Sequence, residues 1–309
     1  MLEMESRDRR RDELGTMRSS RPRGARLRRA GLHAGLLAWI LAGTPPAQAI
    51  VLAPHALFID HHTRSGILYV QNPGDDVEEV SIALEYGYPA SDSAGGVYIE
   101  LIPDPPANAP SAAGWVRALP QRIRVLPGAR QAVRLLAQPP AELPDGEYWS
   151  RIIVTSHAAQ APVPVSEDAA VRVGLTLEMR TITSLIYRKG QVSTGVALDD
   201  FAVESAGDTL VAAVRVSRRG SGAYLGKVEF VLTDAQGKEV GGWEQAIAVY
   251  FDLYRRYSLP TKGLAPGPYS LAVRLSTERS DIAQAQLLPA EAVERTIQLV
   301  VPERAREEP

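Results

Sequence analysis

The sequence contains no cysteine among its 309 residues, and it has only five histidines and four methionines. Without cysteine the chain has no disulfide bond, no thiolate nucleophile and no cysteine-based metal site. Each folded domain must therefore be held together by its core alone.

Runs of apolar residues long enough to span a membrane are also missing. The uncharged stretch 30–42 has 13 residues, whereas a membrane-spanning helix needs roughly 20. Five arginines between 21 and 29 precede this stretch, and the small-x-small motif Ala47-Gln48-Ala49 follows it. That order is typical of a secretory signal peptide. We therefore expect export to the periplasm with cleavage after Ala49, no integral membrane segment, and a signal peptide over 1–49 in which the residues before Met17 are superfluous.

Positive charge is scarce in the part of the chain that remains after cleavage. Of the 34 Lys and Arg and 36 Asp and Glu, ten arginines and five acidic residues precede Ile50, which leaves a net charge near −7. Nucleic-acid binding needs clustered Lys and Arg to contact phosphates. An acidic chain of this kind is not expected to bind nucleic acid.

Helical periodicity is rare after Ile50, and apolar residues instead recur at every second position in short runs. Gly, Pro, Asn and Asp separate these runs, as in Asp234-Ala235-Gln236-Gly237, which predicts a hairpin turn. The predicted strands of the first half are 50–59, 66–71, 77–86, 97–102, 122–126, 130–136, 147–155 and 169–187. A second series begins near Val192, with strands at 207–217, 225–233, 239–249, 253–258, 267–275 and 291–301. Many short strands at this spacing are typical of a β-sandwich.

Both halves enter their penultimate strand through a Pro/Gly turn followed by a tyrosine, Tyr148 in the first half and Tyr269 in the second. This pattern fits the tyrosine corner of immunoglobulin-like sandwiches, although an ordinary turn before a strand-favouring aromatic is the alternative. We predict an all-β chain with two immunoglobulin-like β-sandwich domains in tandem, 50–187 and 188–301, after the cleaved signal peptide. The charged tail 302–309 is predicted to be disordered.

Few side chains suit catalysis or metal binding. The neighbouring His61 and His62 point in different directions along an extended chain, so they do not form a metal site by themselves. The sequence has no Gly-x-Ser-x-Gly elbow and no Gly-rich phosphate loop. Asp199-Asp200 is interpreted as a solvated turn, and the aromatic segment 250–257 as a strand with one buried face. We expect no enzyme activity, no cofactor and no metal.

Within the segment 169–188, residues 171–180 alternate without a break. Its apolar positions are Val171, Val173, Leu175, Leu177 and Met179, and polar or small residues occupy the positions between them. A half-buried core strand is one interpretation, but the segment is longer than the usual five or six residues. A long apolar edge strand is an aggregation hazard unless it exists to pair with another chain by β-augmentation.

Four segments in order carry a resemblance to a known family. They are the first strands 50–58 and 66–71 followed by Asn72-Pro73, the stretch 120–135, the stretch 143–149, and the strand end 185–188. Together they resemble the first domain of the periplasmic chaperones of the chaperone–usher pilus pathway.

This resemblance implies two domains set at an angle, with a cleft between them. It implies that the last strand of the first domain lends apolar side chains to an incomplete pilin-like subunit, with the lending positions falling on Leu175, Leu177 and Met179. It further implies an outer-membrane usher as a second partner. Glu147 and Arg188 match two members of the family's interdomain salt bridge.

The family holds the pilin's C-terminal carboxylate with an Arg on the first strand and a Lys on the lending strand. The matching positions here are His55 or Ala56, depending on register, and Ser184, none of which has a fixed positive charge. Arg180 is a further candidate contact, although its parity places it on the face opposite the lending residues. The alternative function is an exported, non-chaperone binding or scaffold module that acts through loops such as the Pro- and Ala-rich 103–115.

Overall fold

The structure is a computed structural model that describes residues 50–159 and 177–302. These residues belong to one compact unit that begins at Ala47. They form seventeen β-strands and one short 3-10 turn, Gln284–Gln286, so the all-β prediction is confirmed. No helix in these two ranges is long and apolar enough to cross a membrane.

The first ten strands form two sheets. One sheet has the order β1-β3-β8-β6, and the other has the order β2-β10-β9-β4-β5 with β7 beside β4. All neighbouring strands are antiparallel except β2 and β10, which run parallel. The bounds are β1 Val51–Ala53, β2 Ala56–Asp60, β3 Ser65–Gln71, β4 Glu78–Ser91, β5 Val97–Ile102, β6 Val116–Leu119, β7 Arg122–Val125, β8 Arg130–Ala137, β9 Gly146–Ala158 and β10 Glu178–Lys189.

The remaining seven strands form a second pair of antiparallel sheets, β11-β12-β15 and β14-β13-β16-β17. Their bounds are β11 Thr194–Ala206, β12 Thr209–Gly220, β13 Tyr224–Asp234, β14 Glu239–Val249, β15 Asp252–Pro260, β16 Gly267–Ser276 and β17 Val293–Val301. The predicted turn at 234–237 is confirmed, since Asp234 Oδ1 accepts hydrogen bonds from the backbone N–H groups of Gln236 and Lys238.

Each pair of sheets encloses its own core because alternate residues of a strand point to the same face. Val133 and Leu135 of β8 and Leu185 and Tyr187 of β10 are fully buried between the first two sheets. A separate cluster, which includes Phe230 of β13, fills the second pair. The chain is therefore two immunoglobulin-like sandwiches, each with an independent core.

Both predicted tyrosine corners are present. The Tyr148 hydroxyl donates to the Pro144 carbonyl at 2.8 Å, and the Tyr269 hydroxyl donates to the Ala265 carbonyl at 2.8 Å. The same four-residue offset recurs in the two sandwiches, as expected for a corner that holds the turn against the strand that follows it.

The single predicted strand 50–59 is wrong, since the chain changes sheets within it. β1 pairs with β3, whereas β2 pairs with β10 in the opposite sheet. Pro54 lies at the break, where its missing N–H could not continue a strand ladder. The sequence pattern also missed β6 and β11.

The solvated turn predicted at Asp199-Asp200 is wrong as well. Both residues belong to β11, at an irregularity of its pairing with β12 between Leu198 and Asp200. A bulge of this kind accommodates an extra residue without ending the strand. The aromatic segment 250–257 does contribute a strand with a buried face, because Leu253 and Tyr257 of β15 lie in the second core.

Candidate partner-binding edge and interdomain cleft

The strand β10 has one edge that is paired over only half of its length. It pairs with β9 along the whole strand, but with β2 only from Ser184 to Arg188. Among the strands that the structure describes, nothing covers the other edge of residues 178–183. We call these six residues the open edge.

The apolar side chains just before and at the start of the open edge are exposed. Leu177 is 63% exposed and Met179 is 38% exposed. They share their parity with Leu185 and Tyr187, which are buried in the first core. The strand face that is buried in the first core at Leu185 and Tyr187 therefore carries solvent-exposed apolar side chains at Leu177 and Met179. The other predicted lending residues, Val171, Val173 and Leu175, lie outside the described residues.

The strand register brings Ala56, rather than His55, beside Ser184. Ser184 is the partner of Ala56 in β2 and of Arg151 in β9, so these three residues form a row across the sheet. His55 lies one residue before the row, and its carbonyl accepts a hydrogen bond from the Thr183 hydroxyl. Arg180 is exposed and pairs with Glu85 at 3.4 Å.

The third member of this row, Arg151, is a residue that the sequence reasoning missed. It is only 3% exposed; its Nε donates to the Gly87 carbonyl at 2.9 Å and its Nη1 donates to the Ser184 hydroxyl. Its Nη2 is buried and has no hydrogen-bond partner among the residues described. The sequence does contain one signal for this residue: Arg151 is a charged residue within the apolar stretch of β9.

Arg151 lines a cleft of about 240 Å³ between the two sandwiches. The first sandwich contributes Ala56, Ser184 and Ile186, and the second contributes Tyr250 and the loop 279–282. The guanidinium carbon of Arg151 lies 4.9 Å from the centre of the Tyr250 ring, a distance that fits a cation–π contact. The cleft is therefore lined by both sandwiches and has a cation in its wall.

A second arginine of the cleft is already neutralised. Arg279 donates to both carboxylate oxygens of Asp281, with Nε to Oδ1 at 2.8 Å. The hydrogen bonds from Arg279 hold the pKa of Asp281 below its usual value, so this carboxylate is ionised at neutral pH. The pair contributes little net charge to the cleft.

Glu147 and Arg188 lie together and connect the two sandwiches. Glu147 is 2% exposed, and its Oε2 accepts from Arg188 Nε at 2.7 Å. Its Oε1 accepts from Trp149 Nε1 at 2.7 Å and from the backbone N–H of Ala223 in the second sandwich at 2.8 Å. Arg188 Nη1 donates to the Gln286 carbonyl at 2.5 Å. Backbone groups of the second sandwich thus bind both members of this pair.

An apolar cluster surrounds this polar centre and joins the sandwiches. Trp149 and Ile186 of the first sandwich pack with Leu225 and Tyr250 of the second, and the ring centres of Trp149 and Tyr250 are 4.7 Å apart at 73°. Tyr86 belongs to the same cluster, where burial raises its pKa to about 12 and keeps the phenol neutral. Edge-to-face packing of large aromatic rings favours one fixed arrangement of the two sandwiches.

A hairpin makes a further contact between the sandwiches. Tyr254 of β15 donates its backbone N–H to the Ser91 hydroxyl at 2.9 Å, and the Arg256 N–H reaches the Gly95 carbonyl at 3.4 Å. Gly95 has a φ of +82°, which disfavours any residue with a side chain. The turn between β4 and β5 is thus shaped to rest on the second sandwich.

No protein-family model matches the chain, and no curated protein matches it. Solved structures of pilus-assembly chaperones resemble it over roughly 80% of its length at low sequence identity. The YadV chaperone is 15% identical, with 82% of this chain and 100% of that chain covered and a TM-score of 0.40.

Two further solved structures contain a chaperone bound to a subunit. The complex of CsuC with the tip adhesion subunit CsuE, from Acinetobacter baumannii, gives 13% identity, coverage of 80% of this chain and 98% of that chain, and a TM-score of 0.41. The Salmonella enterica SafA pilin in complex with the SafB chaperone gives 15% identity, coverage of 81% and 96%, and a TM-score of 0.37. The likeness in each case is one of fold.

Proposed function

We propose that this protein is an exported, periplasmic chaperone-like protein that binds and stabilises a pilin-like or other secreted subunit. It does so by β-strand donation from residues 171–179, the last two of which belong to the open edge of β10. The observation that carries this proposal is the open edge itself, preceded by the exposed Leu177 and followed within the same strand by a buried core segment. The resemblance in sequence adds an outer-membrane usher as a further partner.

The physical argument rests on the cost of an unpaired edge. Each residue of an edge strand offers backbone groups that a second strand can pair with, and proteins normally blunt such edges with charge, bulges or a covering segment. Along the open edge, charged Glu178 and Arg180 project from one face, while Met179 projects from the other. A partner strand would gain main-chain hydrogen bonds from the edge and apolar contact from Leu177 and Met179.

The alternative, binding through loops, has less support. Its main candidate, the loop 103–115, is attached to β9, since the Trp149 N–H donates to the Pro110 carbonyl at 2.7 Å and the Ala112 N–H donates to the Trp149 carbonyl at 2.8 Å. Ala112 is fully buried. A loop held in this way contributes to the sandwich rather than presenting a free binding surface.

Changing Leu177 and Met179 together to aspartate should strongly reduce capture of the partner subunit. Both side chains are exposed in the free protein, so the free energy of unfolding should change by only about 0.5 kcal/mol. Two charges on the apolar face of the donated strand should weaken binding by about tenfold or more. The measurement is co-purification from the native periplasm with identification of the bound chain by mass spectrometry.

A matched control places the same two charges elsewhere on the first sandwich. Val51 and Ile67 are 47% and 41% exposed and lie in the sheet that does not contain β10. V51D with I67D should leave capture unchanged. Equal capture by the Leu177 and Met179 variant and the wild type would contradict strand donation.

Hydrogen exchange gives a second, independent test. In the free protein, those amides of 178–183 that point away from β9 should exchange rapidly, because no described strand pairs with them. The amides of 185–187, which lie between β9 and β2, should be protected. Addition of the partner subunit should protect the open edge. Protection of 178–183 already complete in the isolated protein would favour the loop-binding alternative.

A further inference from the structure

We propose that the outer edge of β5 pairs with the same edge of a second copy of this chain, so that the protein forms a dimer with twofold symmetry. The outer edge is the side of Val97–Ile102 that faces away from β4. β5 is the last strand of its sheet, and β10 lies towards the other end. The dimer therefore leaves the open edge of both copies accessible, and it does not depend on strand donation.

The first argument is that β5 has few of the features that prevent a strand edge from pairing. No strand in the part of the chain that the structure describes pairs with its outer edge. Val97, Tyr98 and Ile99 are 42%, 49% and 38% exposed in succession, so both faces of the strand present large side chains to solvent. The strand contains no lysine and no proline, and its single charged residue is Glu100. An edge of this kind is a template for pairing with another chain.

The second argument is the direction of the backbone groups of β5. Asp92 donates its N–H to the Gly96 carbonyl at 3.0 Å, and from this bond onward successive residues of β5 point alternately away from β4 and towards it. Pro89, opposite Ile99 in β4, agrees with this phase because it has no N–H to give to β5. The residues whose N–H and carbonyl groups lie on the outer edge are therefore Val97, Ile99 and Leu101.

The third argument is that these three residues select one antiparallel register. If Ile99 lies opposite Ile99 of the second copy, Val97 lies opposite Leu101 of that copy, and Leu101 lies opposite its Val97. Each of these pairs exchanges two main-chain hydrogen bonds, so no outward group is left over. A twofold axis centred on residue 98 or on residue 100 would leave one of the three residues without a partner in the strand.

The side chains fit the same register. Tyr98 lies opposite Glu100 of the second copy, where its hydroxyl can donate to the carboxylate, and the twofold axis repeats this pair. Tyr88 of the same chain also interacts with the Glu100 carboxylate, which has lone pairs for two donors. With the axis on residue 100, two Glu100 carboxylates would face each other, which is destabilising. The edge is therefore complementary to itself, and a second copy of the chain is the partner that fits it.

Opposite charges at position 98 test the partner and the register together. Sedimentation equilibrium of the intact protein should show a reversible dimer with a dissociation constant of about 1–100 µM. Y98K and Y98E remove the same ring, but only Y98E places like charges opposite Glu100 of the second copy. Y98K should therefore dimerise about tenfold or more tightly than Y98E. Equal dissociation constants for the two variants would overturn the proposed pairing.

Two controls show whether the effect belongs to β5. V300K and V300E place the same charges on β17, where Val300 is 67% exposed, and should leave the dissociation constant of the wild type unchanged. Near-ultraviolet circular dichroism checks that every variant is folded. The double variant L177D/M179D should dimerise like the wild type. If that variant loses the dimer while Y98E keeps it, the contact lies at the open edge of β10, and the assignment to β5 is overturned.

The absence of cysteine allows a direct measurement of the register. In I99C the two cysteines lie directly opposite each other, with Cα atoms about 5.5 Å apart, a distance that a disulfide spans. In the matched variant V97C, on the same face of the same strand, they lie roughly 14 Å apart. Mild oxidation at equal protein concentration should therefore cross-link I99C and leave V97C monomeric. Equal cross-linking of both variants would overturn the register, and a wild type that stays monomeric up to about 1 mM would overturn the dimer.

Discussion

Replacing Glu147 with alanine should lower the free energy of unfolding by about 3–5 kcal/mol, which is the range expected when one partner of a buried ion pair is removed. Arg188 would keep its charge in a site that is mostly shielded from water, with the Gln286 carbonyl as its remaining hydrogen-bond partner among the described residues and the Phe58 ring centre 4.9 Å from its guanidinium carbon. The Trp149 and Ala223 N–H groups would lose their shared acceptor at the same time. Urea unfolding of the variant and the wild type measures the difference.

The same substitution should loosen the contact between the sandwiches, because Ala223 belongs to the second one. We expect E147A to separate the thermal unfolding of the chain into two calorimetric transitions. The matched control is Glu79→Ala, since Glu79 pairs with Arg124 at 3.3 Å but both side chains are largely exposed, at 46% and 69%. An exposed pair of this kind contributes about 0–1 kcal/mol. A loss in E147A no larger than in E79A would show that Glu147 does not hold the sandwiches together.

The strands of this chain are largely predictable from its sequence because most have one buried face and one exposed face. The period-two pattern marks β5 at its observed bounds and β8 within one residue, and the Pro/Gly turns before Tyr148 and Tyr269 mark both corners. Such patterns are local, so they can be recognised without knowing which strands are neighbours.

The sequence-based predictions are wrong where the bounds of a strand depend on its pairing with distant strands. Residues 50–59 form one apolar run, but only the pairing of β1 with β3 and of β2 with β10 divides it between two sheets. The strand β11 contains Asp199 and Asp200, which suggest a turn in isolation and instead lie at a bulge against β12. No local pattern determines these outcomes, because they are set by tertiary pairing.

Some features of the candidate site can also be predicted from the sequence, and others depend on tertiary pairing. The pairing of Glu147 with Arg188 could be anticipated from a resemblance, but their partners in the second sandwich are the backbone N–H of Ala223 and the carbonyl of Gln286, which no residue type reveals. Arg151 became visible only when the register placed it beside Ser184. The positions that match the family's basic residues have no fixed positive charge, whereas the adjacent strand β9 places Arg151 in the wall of the cleft.

The strand β10 connects the open edge, the cleft and the contact between the two sandwiches. Its first six residues form the open edge, Ser184 and Ile186 line the cleft, and Arg188 binds Glu147. Any displacement of the second sandwich would change the cleft wall that faces a strand bound at the open edge. The contacts that fix the sandwiches therefore also fix the shape of the cleft.

Replacing Trp149 with alanine should test this coupling directly and should cost about 3–5 kcal/mol of unfolding free energy. Trp149 is 1% exposed, contacts the Tyr250 ring of the second sandwich, and donates its indole N–H to Glu147. The variant would leave a cavity in the cluster between the sandwiches, so we expect two unfolding transitions as for E147A. The control W243A changes a half-buried tryptophan of β14 and should cost less.

The effects of W149A and E147A on the free energy of unfolding should not be additive, because Trp149 Nε1 donates a hydrogen bond to Glu147 Oε1 at 2.7 Å. A double-mutant cycle should give a coupling energy of about 0.5–3 kcal/mol, as found for residues in one network. W149F separates the two contributions, since it keeps an aromatic ring against Tyr250 while removing the donor to Glu147. If W149F costs nearly as much as W149A, the hydrogen bond dominates; if it costs little, ring packing does. Strict additivity of W149A and E147A would mean that the polar centre and the apolar cluster hold the two sandwiches independently.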